Sequence, residues 1–183
     1  MESMVIEPTA IPGCFVIKPK SHDDQRGKFV KTFHRKTFQD HGLEAHFHEE
    51  YYTISINRVL RGLHFQKPPH QHNKLVYCPF GNIFDVVLDL RFGSPTYRRY
   101  YSCELSDHNA HIIYVPKGLA HGFYVKSEKA VVVYNVSTIY SPDHDDGILW
   151  NSAEIPWPDN NPIISDRDRG FITLANFVTP FRI

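Results

Sequence analysis

Apolar and polar side chains alternate with a period close to two from residue 53 onward, and Gly and Pro interrupt this pattern at short intervals. Residues 82–90 place apolar side chains on one face of a predicted strand and Asp85 and Asp89 on the other. Residues 129–140 alternate in the same way. Short strands without a long helical stretch predict an all-β protein, an antiparallel jelly-roll barrel with a few short helices at its periphery.

Local patterns predict the remaining elements. The first part of the chain is expected to form a strand over 14–18, a polar loop over 21–27, a strand over 28–33 and a short helix over 35–41 that Gly42 ends. Ser165 begins a Ser-x-x-acid capping box, which predicts a second short helix. The tail after Tyr140 is rich in Pro, Asp and Asn and is expected to wrap the barrel. Because no repeat or linker interrupts the chain, residues 1–183 are predicted to be one domain.

The overall charge is balanced, since 20 Lys and Arg residues face 20 Asp and Glu residues. No global field therefore favours nucleic acid or an anionic membrane as a partner. Three cysteines, an odd number without metal-ligand spacing, are typical of thiols in a reducing compartment. The first residues lack the pattern of a signal peptide, and no run approaches the roughly 20 apolar residues of a membrane helix. We expect a cytoplasmic protein.

The segment VLRGLHFQ at 59–66 is followed closely by Lys74, so that three basic groups lie in two neighbouring predicted strands. Basic groups among Val, Leu and Phe suit a pocket that binds an anion and moves a proton. Alternatively, His64 is a hydrogen-bonded core histidine and Arg61 belongs to a surface ion pair. On a regular strand Arg61 and His64 face opposite ways, so either Gly62 marks a bulge that re-aims the chain or Arg61 reaches round an edge.

Further motifs follow in a fixed order along nearly the whole chain: Asp24-x-Arg26-Gly27-x-Phe29, VLRGLHFQ at 59–66, KLV at 74–76, FDVVLDLRFGSPTY at 84–97, VPKGLAHGFYV at 115–125, Tyr134, YSPDHDDGILWN at 140–151 and PIISDRD at 162–168. Together they resemble the dTDP-4-dehydrorhamnose 3,5-epimerase family. The resemblance implies a homodimeric, cupin-like jelly roll. It also implies an isomerase that epimerises 4-keto-6-deoxyhexoses attached to a nucleotide, without cofactor or metal.

The chemistry of such a reaction assigns roles to the residues that match the family. A 4-keto group acidifies the protons on C3 and C5, so epimerisation needs a base, an enolate stabiliser and an acid on the opposite face. The resemblance implies that His64 is the base, Asp168 its carboxylate partner and Tyr134 the general acid, while Lys74 can donate to the enolate oxygen. Structural alternatives stay open: Asp168 as a helix cap, Tyr134 as core and Lys74 at the solvent face. Inversion of C3 alone, or of C3 and C5, is equally open.

The resemblance also implies a substrate-binding set. His121 and Arg61 match residues that hold the diphosphate and sugar, although His121 could be a turn histidine. The strand Arg26–Lys31 is expected to cross to the partner subunit and build its nucleotide site, with Phe29 stacking there. The predicted set is Arg26, Phe29, Lys31, Glu49, Tyr51, Arg61, His121, Tyr140, Asp145 and Arg167.

Departures from the family pattern cluster in this set. Lys31 stands where the family usually has Glu, residues 49–53 replace Gln-x-Asn-x-Ser, Asp145 replaces Glu and Arg167 replaces Lys. Thymine N3–H is a donor that suits a Glu, whereas Lys31 can only donate and would suit the N3 or O2 acceptors of cytosine. Glu49 could accept from the cytosine amino group. Unless both side chains face solvent or each other, the substrate is CDP- rather than dTDP-4-keto-6-deoxyglucose, used in deoxysugar and O-antigen synthesis.

Two other functions compete with the epimerase. His70-Gln71-His72 and the later His121 imitate the ligand motifs of a metal-dependent cupin oxygenase. The acidic ligand is missing, because residues 73–80 contain no Asp or Glu and Lys74 would repel a cation. A non-catalytic cupin that binds a sugar nucleotide is the second alternative. We expect no metal and no cofactor.

Overall fold

A computed structural model describes residues 4–183, which form mainly antiparallel strands. The elements are β1 (Met4–Pro8), β2 (Phe15–Pro19), β3 (Ser21–Asp24), β4 (Gly27–Val30), α1 (Arg35–Asp40), β5 (Glu49–Ile56), β6 (Leu60–Gln66), β7 (Lys74–Phe80), β8 (Asn82–Asp89), β9 (Tyr100–Ser106), β10 (Ile112–Val115), β11 (Leu119–Val125), β12 (Lys129–Val136), β13 (Asp145–Gly147) and α2 (Asp166–Arg169). The predicted all-β class with short peripheral helices is confirmed.

Two facing sheets form the barrel. The first has the strand order β1-β2-β10-β7-β12-β5, and the second has the order β13-β6-β11-β8-β9. Their inner faces enclose a buried apolar core to which both sheets contribute, including Val76, Val87, Phe123 and Val132. Strands that are distant in sequence are therefore neighbours in space, as expected of a jelly roll.

The outer faces of the sheets are covered by different parts of the chain. Phe38 of α1 packs with Leu75 and Ile112 outside the first sheet. Leu174, Phe177 and other residues of the C-terminal segment pack against the outer side chains of β6, β8 and β11. Both faces of the second sheet are thus covered, which explains why six of the eight residues of β8 are buried, Asp85 and Asp89 among them. The prediction that the tail wraps the barrel is confirmed.

The region of residues 21–33 differs from the prediction. Residues 21–27 were expected to be a loop, but Ser21–Asp24 forms β3 and pairs with β4, which ends at Val30 rather than Phe33. All four residues of β3 are exposed, so no apolar alternation marks the strand in the sequence. The backbone N–H of Arg26 donates to Asp24 Oδ1 at 2.8 Å, and Gly27 adopts a φ of +114°, so the turn chemistry holds the hairpin.

Both helices lie where the sequence predicts them. Gly42 follows α1 with a φ of +68°, the left-handed conformation that ends helices. Ser165 is the N-cap of α2, and its side chain accepts from the backbone N–H of Asp168. Among the residues described, neither helix has the length and apolar character needed to span a membrane.

A β-bulge in β6 resolves the orientation of Arg61 and His64. His64 pairs with His121 and Arg61 pairs with Phe123, so that two residues of β6 oppose Gly122 alone. The bulge prediction is confirmed: Arg61 and His64 both line one pocket between the sheets. Gly62 lies in the bulge with a φ of +134°, and a Cβ there would stand 2.5 Å from the Cα of Gly122.

We expect Gly62→Ala to lower the free energy of unfolding by about 3–5 kcal/mol, because the methyl group adds backbone strain and a clash with β11. Urea denaturation of the purified variant measures the effect. Gly27→Ala is the matched control, since Gly27 has a φ of +114° but no atom within 4 Å of an added Cβ. If the two variants lose equal stability, the close approach of β6 to β11 is not the cause.

Candidate active site

A pocket of about 360 Å³ opens between the two sheets. The first sheet contributes side chains from β5, β7 and β12, and the second contributes side chains from β6, β11 and β13. Its lining residues include Glu49, Tyr51, Arg61, His64, Lys74, His121, Tyr134, Tyr140, Asp145 and Arg167. The volume is in the range of small-molecule sites and suits a single sugar ring with its substituents.

His64 faces the pocket from β6 and is oriented by Asp168. The imidazole Nε2 lies 2.9 Å from Asp168 Oδ1, and the ring edge contacts Phe171 at a centroid distance of 5.6 Å. A carboxylate accepts hydrogen bonds only, so Nε2 carries a proton and donates it to Asp168. In neutral His64 the other nitrogen, Nδ1, then has a free lone pair, which makes it the atom able to accept a proton.

Asp168 belongs to α2 and is buried beneath His64. Its second carboxylate oxygen accepts from the backbone N–H of Gly62 at 3.2 Å. Burial alone would raise the pKa of Asp168, but hydrogen bonds from His64, Gly62 and Ser165 lower it below the usual value. The group is therefore ionised at neutral pH. Its carboxylate does not cap α2, because the Ser165 side chain is the cap.

Lys74 begins β7 and is 5% exposed, in contrast to the solvent-facing alternative. Its Nζ donates to the backbone carbonyl of His64 at 3.1 Å. Burial lowers the pKa of Lys74 to about 8, although the charges of Asp145 and Asp85 act in the opposite direction. A cation held at the pocket wall beside a histidine can stabilise negative charge that develops on a ligand.

Tyr134 faces the pocket from β12, in the sheet opposite His64. Its ring stacks on Tyr51 at a centroid distance of 4.9 Å, and the ring of His121 meets it edge-on at 6.0 Å. Burial raises the pKa of Tyr134 well above its ordinary value. The phenol consequently stays protonated at neutral pH and can donate a proton or a hydrogen bond.

His121 forms a second histidine–carboxylate pair. It is directly opposite His64 across the β6–β11 ladder, and its Nε2 lies 2.8 Å from Asp85 Oδ2. Both side chains of this pair are buried, His121 at the pocket wall and Asp85 beneath it. His121 is thus a wall residue of β11, not a turn histidine.

The remaining polar groups of the pocket lie near its mouth. Arg167 forms an ion pair with Asp145 at 2.6 Å, and the Glu49 carboxylate accepts from the backbone N–H of Tyr140 at 3.0 Å. Arg61 donates through Nε to Ser55 Oγ at 3.0 Å. The two arginines give the mouth donors suited to a diphosphate.

Three predicted binding residues lie apart from this pocket. Arg26 pairs with Asp24 at the exposed tip of the β3–β4 hairpin, Phe29 is 62% exposed on β4, and Lys31 is exposed just after it. None of them lines the pocket of its own chain. A role in a nucleotide site would require a second subunit.

The pocket also contains side chains outside the predicted set, namely Thr53, Phe65, Gln66, His72, Phe123 and Val136. Several of these residues could have been predicted from the alternation of side chains along a strand, because they are an even number of positions from a predicted site residue. Gln66 shares parity with His64, Thr53 with Tyr51, and Val136 with Tyr134. His72 shares parity with Lys74 in the same way.

The residues of the oxygenase motif do not converge on one point. His121 is bonded to Asp85, and the His70 ring packs on His144 at 4.3 Å. Throughout residues 4–183, no three or more His, Cys, Asp or Glu side chains are grouped as metal ligands. The donor set thus does not fit a cupin metal centre.

Comparison with known proteins supplies the family. The family model for dTDP-4-dehydrorhamnose 3,5-epimerase matches residues 8–176. The chain is 40% identical to the enzyme of that name from Shigella flexneri over 163 residues, 87% of this chain and 90% of that protein. It is 34% identical to a dTDP-4-dehydrorhamnose 3-epimerase from Streptomyces niveus, over 94% of this chain and 84% of the other.

Solved structures agree with the sequence comparison. The dTDP-6-deoxy-D-glucose-3,5-epimerase of Legionella pneumophila, solved in complex with dTDP-4-keto-L-rhamnose, superposes with a TM-score of 0.91 at 34% identity. The match covers 96% of this chain and 95% of that one. The chain therefore belongs to the dTDP-4-dehydrorhamnose 3,5-epimerase family and is an isomerase of the nucleotide-sugar epimerase type.

Proposed function

We propose that the protein inverts C3, or C3 and C5, of a 4-keto-6-deoxyhexose linked to a nucleoside diphosphate. The observation that carries the proposal is the composition of the pocket: a His–Asp pair on one sheet faces a buried tyrosine on the other, with a buried lysine in the same wall. Epimerisation at a carbon next to a ketone requires these three kinds of group. The whole chain, residues 1–183, acts as one domain in this proposal.

Proton removal falls to His64. Its Nδ1 takes the proton from C3, and the resulting imidazolium donates through Nε2 to the ionised Asp168 at 2.9 Å. Asp168 thereby fixes the tautomer before the reaction and stabilises the cation after it. The electrons of the broken C3–H bond form a double bond between C3 and C4. The former 4-keto oxygen then carries the negative charge of the enolate.

Lys74 and Tyr134 complete the inversion. The Lys74 ammonium donates to the enolate oxygen, which is more negative than the ketone and therefore is bound more tightly. Tyr134 returns a proton to the carbon from the opposite face, and the epimerised ketone re-forms. Its raised pKa, a result of burial, keeps the phenol in the acid form that this step needs. Exchange with solvent then removes the extra proton from His64 and returns one to Tyr134, which closes the cycle. Arg61, His121 and Arg167 hold the diphosphate and sugar.

The direct test is incubation with dTDP- and CDP-4-keto-6-deoxyglucose in deuterium oxide, followed by NMR of the product. We expect deuterium at C3, with or without deuterium at C5, and the pattern reports how many centres are inverted. Binding of either sugar nucleotide without any deuterium uptake would support the non-catalytic alternative instead. Metal analysis of the same preparation tests the oxygenase alternative, which family membership already disfavours.

The pH dependence of the reaction should follow the protonation state of Lys74. A lysine is charged below its pKa, so the lowering of that pKa to about 8 means that the cation is lost as the pH rises through 8. We expect kcat/KM of deuterium uptake to fall about tenfold for each pH unit above 8. Lys74→Arg keeps its charge at every accessible pH, so its lower activity should show no such decline. An unchanged alkaline limb in Lys74→Arg would assign the titration to another group.

A homodimer is part of the proposal. The outer face of edge strand β5 exposes Tyr52, Ile54 and Ile56, and Phe80 is exposed on β7 of the same sheet. Contiguous exposed apolar side chains of this kind mark association surfaces. In the dimer, the β3–β4 hairpin would carry Phe29 and Lys31 to the partner's pocket. Light scattering tests the assembly, and a fully active monomer would remove these two residues from the nucleotide site.

In the proposed dimer, Glu49 at the pocket and Lys31 from the partner's hairpin would select the nucleobase. The cytosine hypothesis predicts that CDP binds more tightly than dTDP, because Lys31 offers a donor where thymine also presents one. Each unpaired buried group costs about 1–3 kcal/mol, which corresponds to roughly a 5- to 150-fold change in affinity. Calorimetry on the wild type and on Lys31→Glu/Glu49→Gln measures both affinities. Tighter dTDP binding by the wild type would assign thymine, the base named for the relatives.

The product would enter deoxysugar synthesis for a surface polysaccharide such as O-antigen, since 4-keto-6-deoxyhexoses are intermediates from which a reductase makes deoxysugars. A cytoplasmic location fits a supply of nucleotide sugars from that compartment. Neither the proposed reaction nor the pocket requires a cofactor, because the substrate's own ketone supplies the electron sink.

A further inference from the structure

Two buried side-chain atoms of the pocket, Thr53 Oγ1 and His72 Nε2, have no hydrogen-bond partner among residues 4–183, and the steps above use neither of them. His72 lies in the loop between β6 and β7, and its ring lines the pocket. Its Nε2 is buried and has no hydrogen-bond partner among residues 4–183. Buried polar groups in proteins nearly always have a partner. An unpartnered one in the wall of a binding pocket points to an atom of the ligand.

Gln66 determines which nitrogen of His72 carries the proton. The Gln66 Oε1 accepts from the backbone N–H of Ser141 at 2.7 Å, which identifies the other end of the amide as Nε2. This amide nitrogen donates to the carbonyl oxygen of His70 at 2.8 Å, and it lies 3.4 Å from each of three further acceptors: His72 Nδ1, Thr138 Oγ1 and the Ile139 carbonyl oxygen. Within the described part of the chain Nδ1 has no other hydrogen-bond partner, so a hydrogen on it would face only this donor. An amide NH2 only donates, so Nδ1 of a neutral His72 accepts and Nε2 carries the hydrogen. The buried, unpartnered atom is therefore a donor.

His72 stays neutral throughout the accessible pH range. Burial, together with the charges of Lys74 and Lys117, lowers the pKa of His72 to about 3. The ring therefore cannot take up the substrate proton, and its chemistry is limited to donation of a hydrogen bond through Nε2. Neutral imidazoles serve as electrophiles in enzymes that form enolates, where they polarise the ketone without giving up a full charge.

His72 and Lys74 lie close together in the wall of the pocket. Asn73 alone separates the two residues: His72 is in the loop that leads into β7, and Lys74 is the first residue of that strand. Both line the pocket, and the charge of Lys74 acts on the His72 ring. An enolate oxygen has room for two donors. We propose that His72 Nε2–H is a second hydrogen-bond donor to the sugar 4-oxygen and forms, together with Lys74, a two-donor site for the enolate.

This inference rests on the proposed function, because the enolate forms only in that reaction. Three substitutions separate its possible roles. Phe keeps a ring without either nitrogen. Gln places an amide near the position of Nε2 but leaves that of Nδ1 empty, whereas Asn places an amide near Nδ1 and can still meet Gln66.

The readout is kcat and KM for deuterium uptake at C3. We expect His72→Phe and His72→Asn to lower kcat about 100-fold with little change in KM, since the donor acts on the enolate more than on the ketone. His72→Gln should retain activity within about tenfold of the wild type. Circular dichroism and thermal unfolding check the fold, and the Gln and Asn pair decides the matter if the Phe variant does not fold.

Several results would overturn the inference. High activity in His72→Asn with low activity in His72→Gln would show that the ring only holds the loop through Gln66. A change in KM alone would assign His72 to ground-state binding. Undiminished kcat in a folded His72→Phe would remove the residue from the reaction while leaving the proposed function intact. No uptake by the wild type would overturn the proposed function and this inference together.

Discussion

Replacing His64 with Asn should reduce deuterium uptake at C3 by at least about 1,000-fold, because the variant lacks the proposed base. His72, another histidine of the pocket, cannot replace it as a base, because burial lowers its pKa to about 3. Nuclear magnetic resonance of a bound 4-keto sugar in deuterium oxide measures the exchange directly, without a coupled reductase.

The control for His64→Asn is His108→Asn. The His108 side chain is 95% exposed after β9, so its replacement should leave the rate unchanged. Affinity for the nucleoside diphosphate alone should be similar in both variants, since His64 faces the sugar-sized end of the pocket in the proposed pose. A folded His64→Asn protein that exchanges at the wild-type rate would exclude His64 as the base.

Asp168→Asn should lower kcat by roughly 1,000- to 10,000-fold, comparable to the loss of other carboxylates that orient a catalytic histidine. The Asp168 carboxylate accepts from both His64 Nε2 and the Gly62 N–H. An amide has only one oxygen for these two donors. If its NH2 group faces His64, the imidazole must hold its proton on Nδ1, and the lone pair that removes the substrate proton is gone.

Ser165→Ala separates this effect from helix capping. It removes the side chain that accepts from the Asp168 N–H but leaves the carboxylate in place. Loss of an N-cap costs about 1 kcal/mol of stability, so Ser165→Ala should unfold more easily and keep most of its rate. If both variants lose stability and neither loses rate, Asp168 is only a structural residue of α2. Rate constants from the exchange assay and urea midpoints provide the comparison.

Sequence periodicity predicts those parts of the fold in which one face of a strand is buried. It places β8 to within one residue, because Asp85 and Asp89 mark the alternation there even though both faces of this strand are buried. It also places the start of β12, where every second residue is buried, but β12 ends at Val136 and not at residue 140. It fails at β3, where all four residues are exposed and the strand depends on turn chemistry and pairing alone. The bulge at Gly62 could be predicted only because an anion-binding pocket requires Arg61 and His64 on the same face and a glycine lies between them.

The candidate site was predictable where a residue belongs to a distinctive motif. His64, Lys74 and Tyr134 are widely separated in sequence, and the structure brings them to one pocket. Gln66 and His72 were missed as site residues, because motif resemblance assigns no role to them, although both share parity with a predicted neighbour. The hairpin residues Phe29 and Lys31 show the opposite limit: they lie outside the pocket of their own chain, so their place in a nucleotide site depends on the proposed dimer.

The pairing of His64 with Asp168 has a consequence for the order in which the molecule becomes active. The two residues are 104 positions apart, and Asp168 arrives on the segment that packs outside the second sheet. That segment has no surface to dock on until β6, β8 and β11 have joined. A half-finished barrel therefore holds a pocket and a histidine but no oriented base. In the proposed reaction, proton abstraction by His64 therefore requires a segment that docks only after these strands have paired.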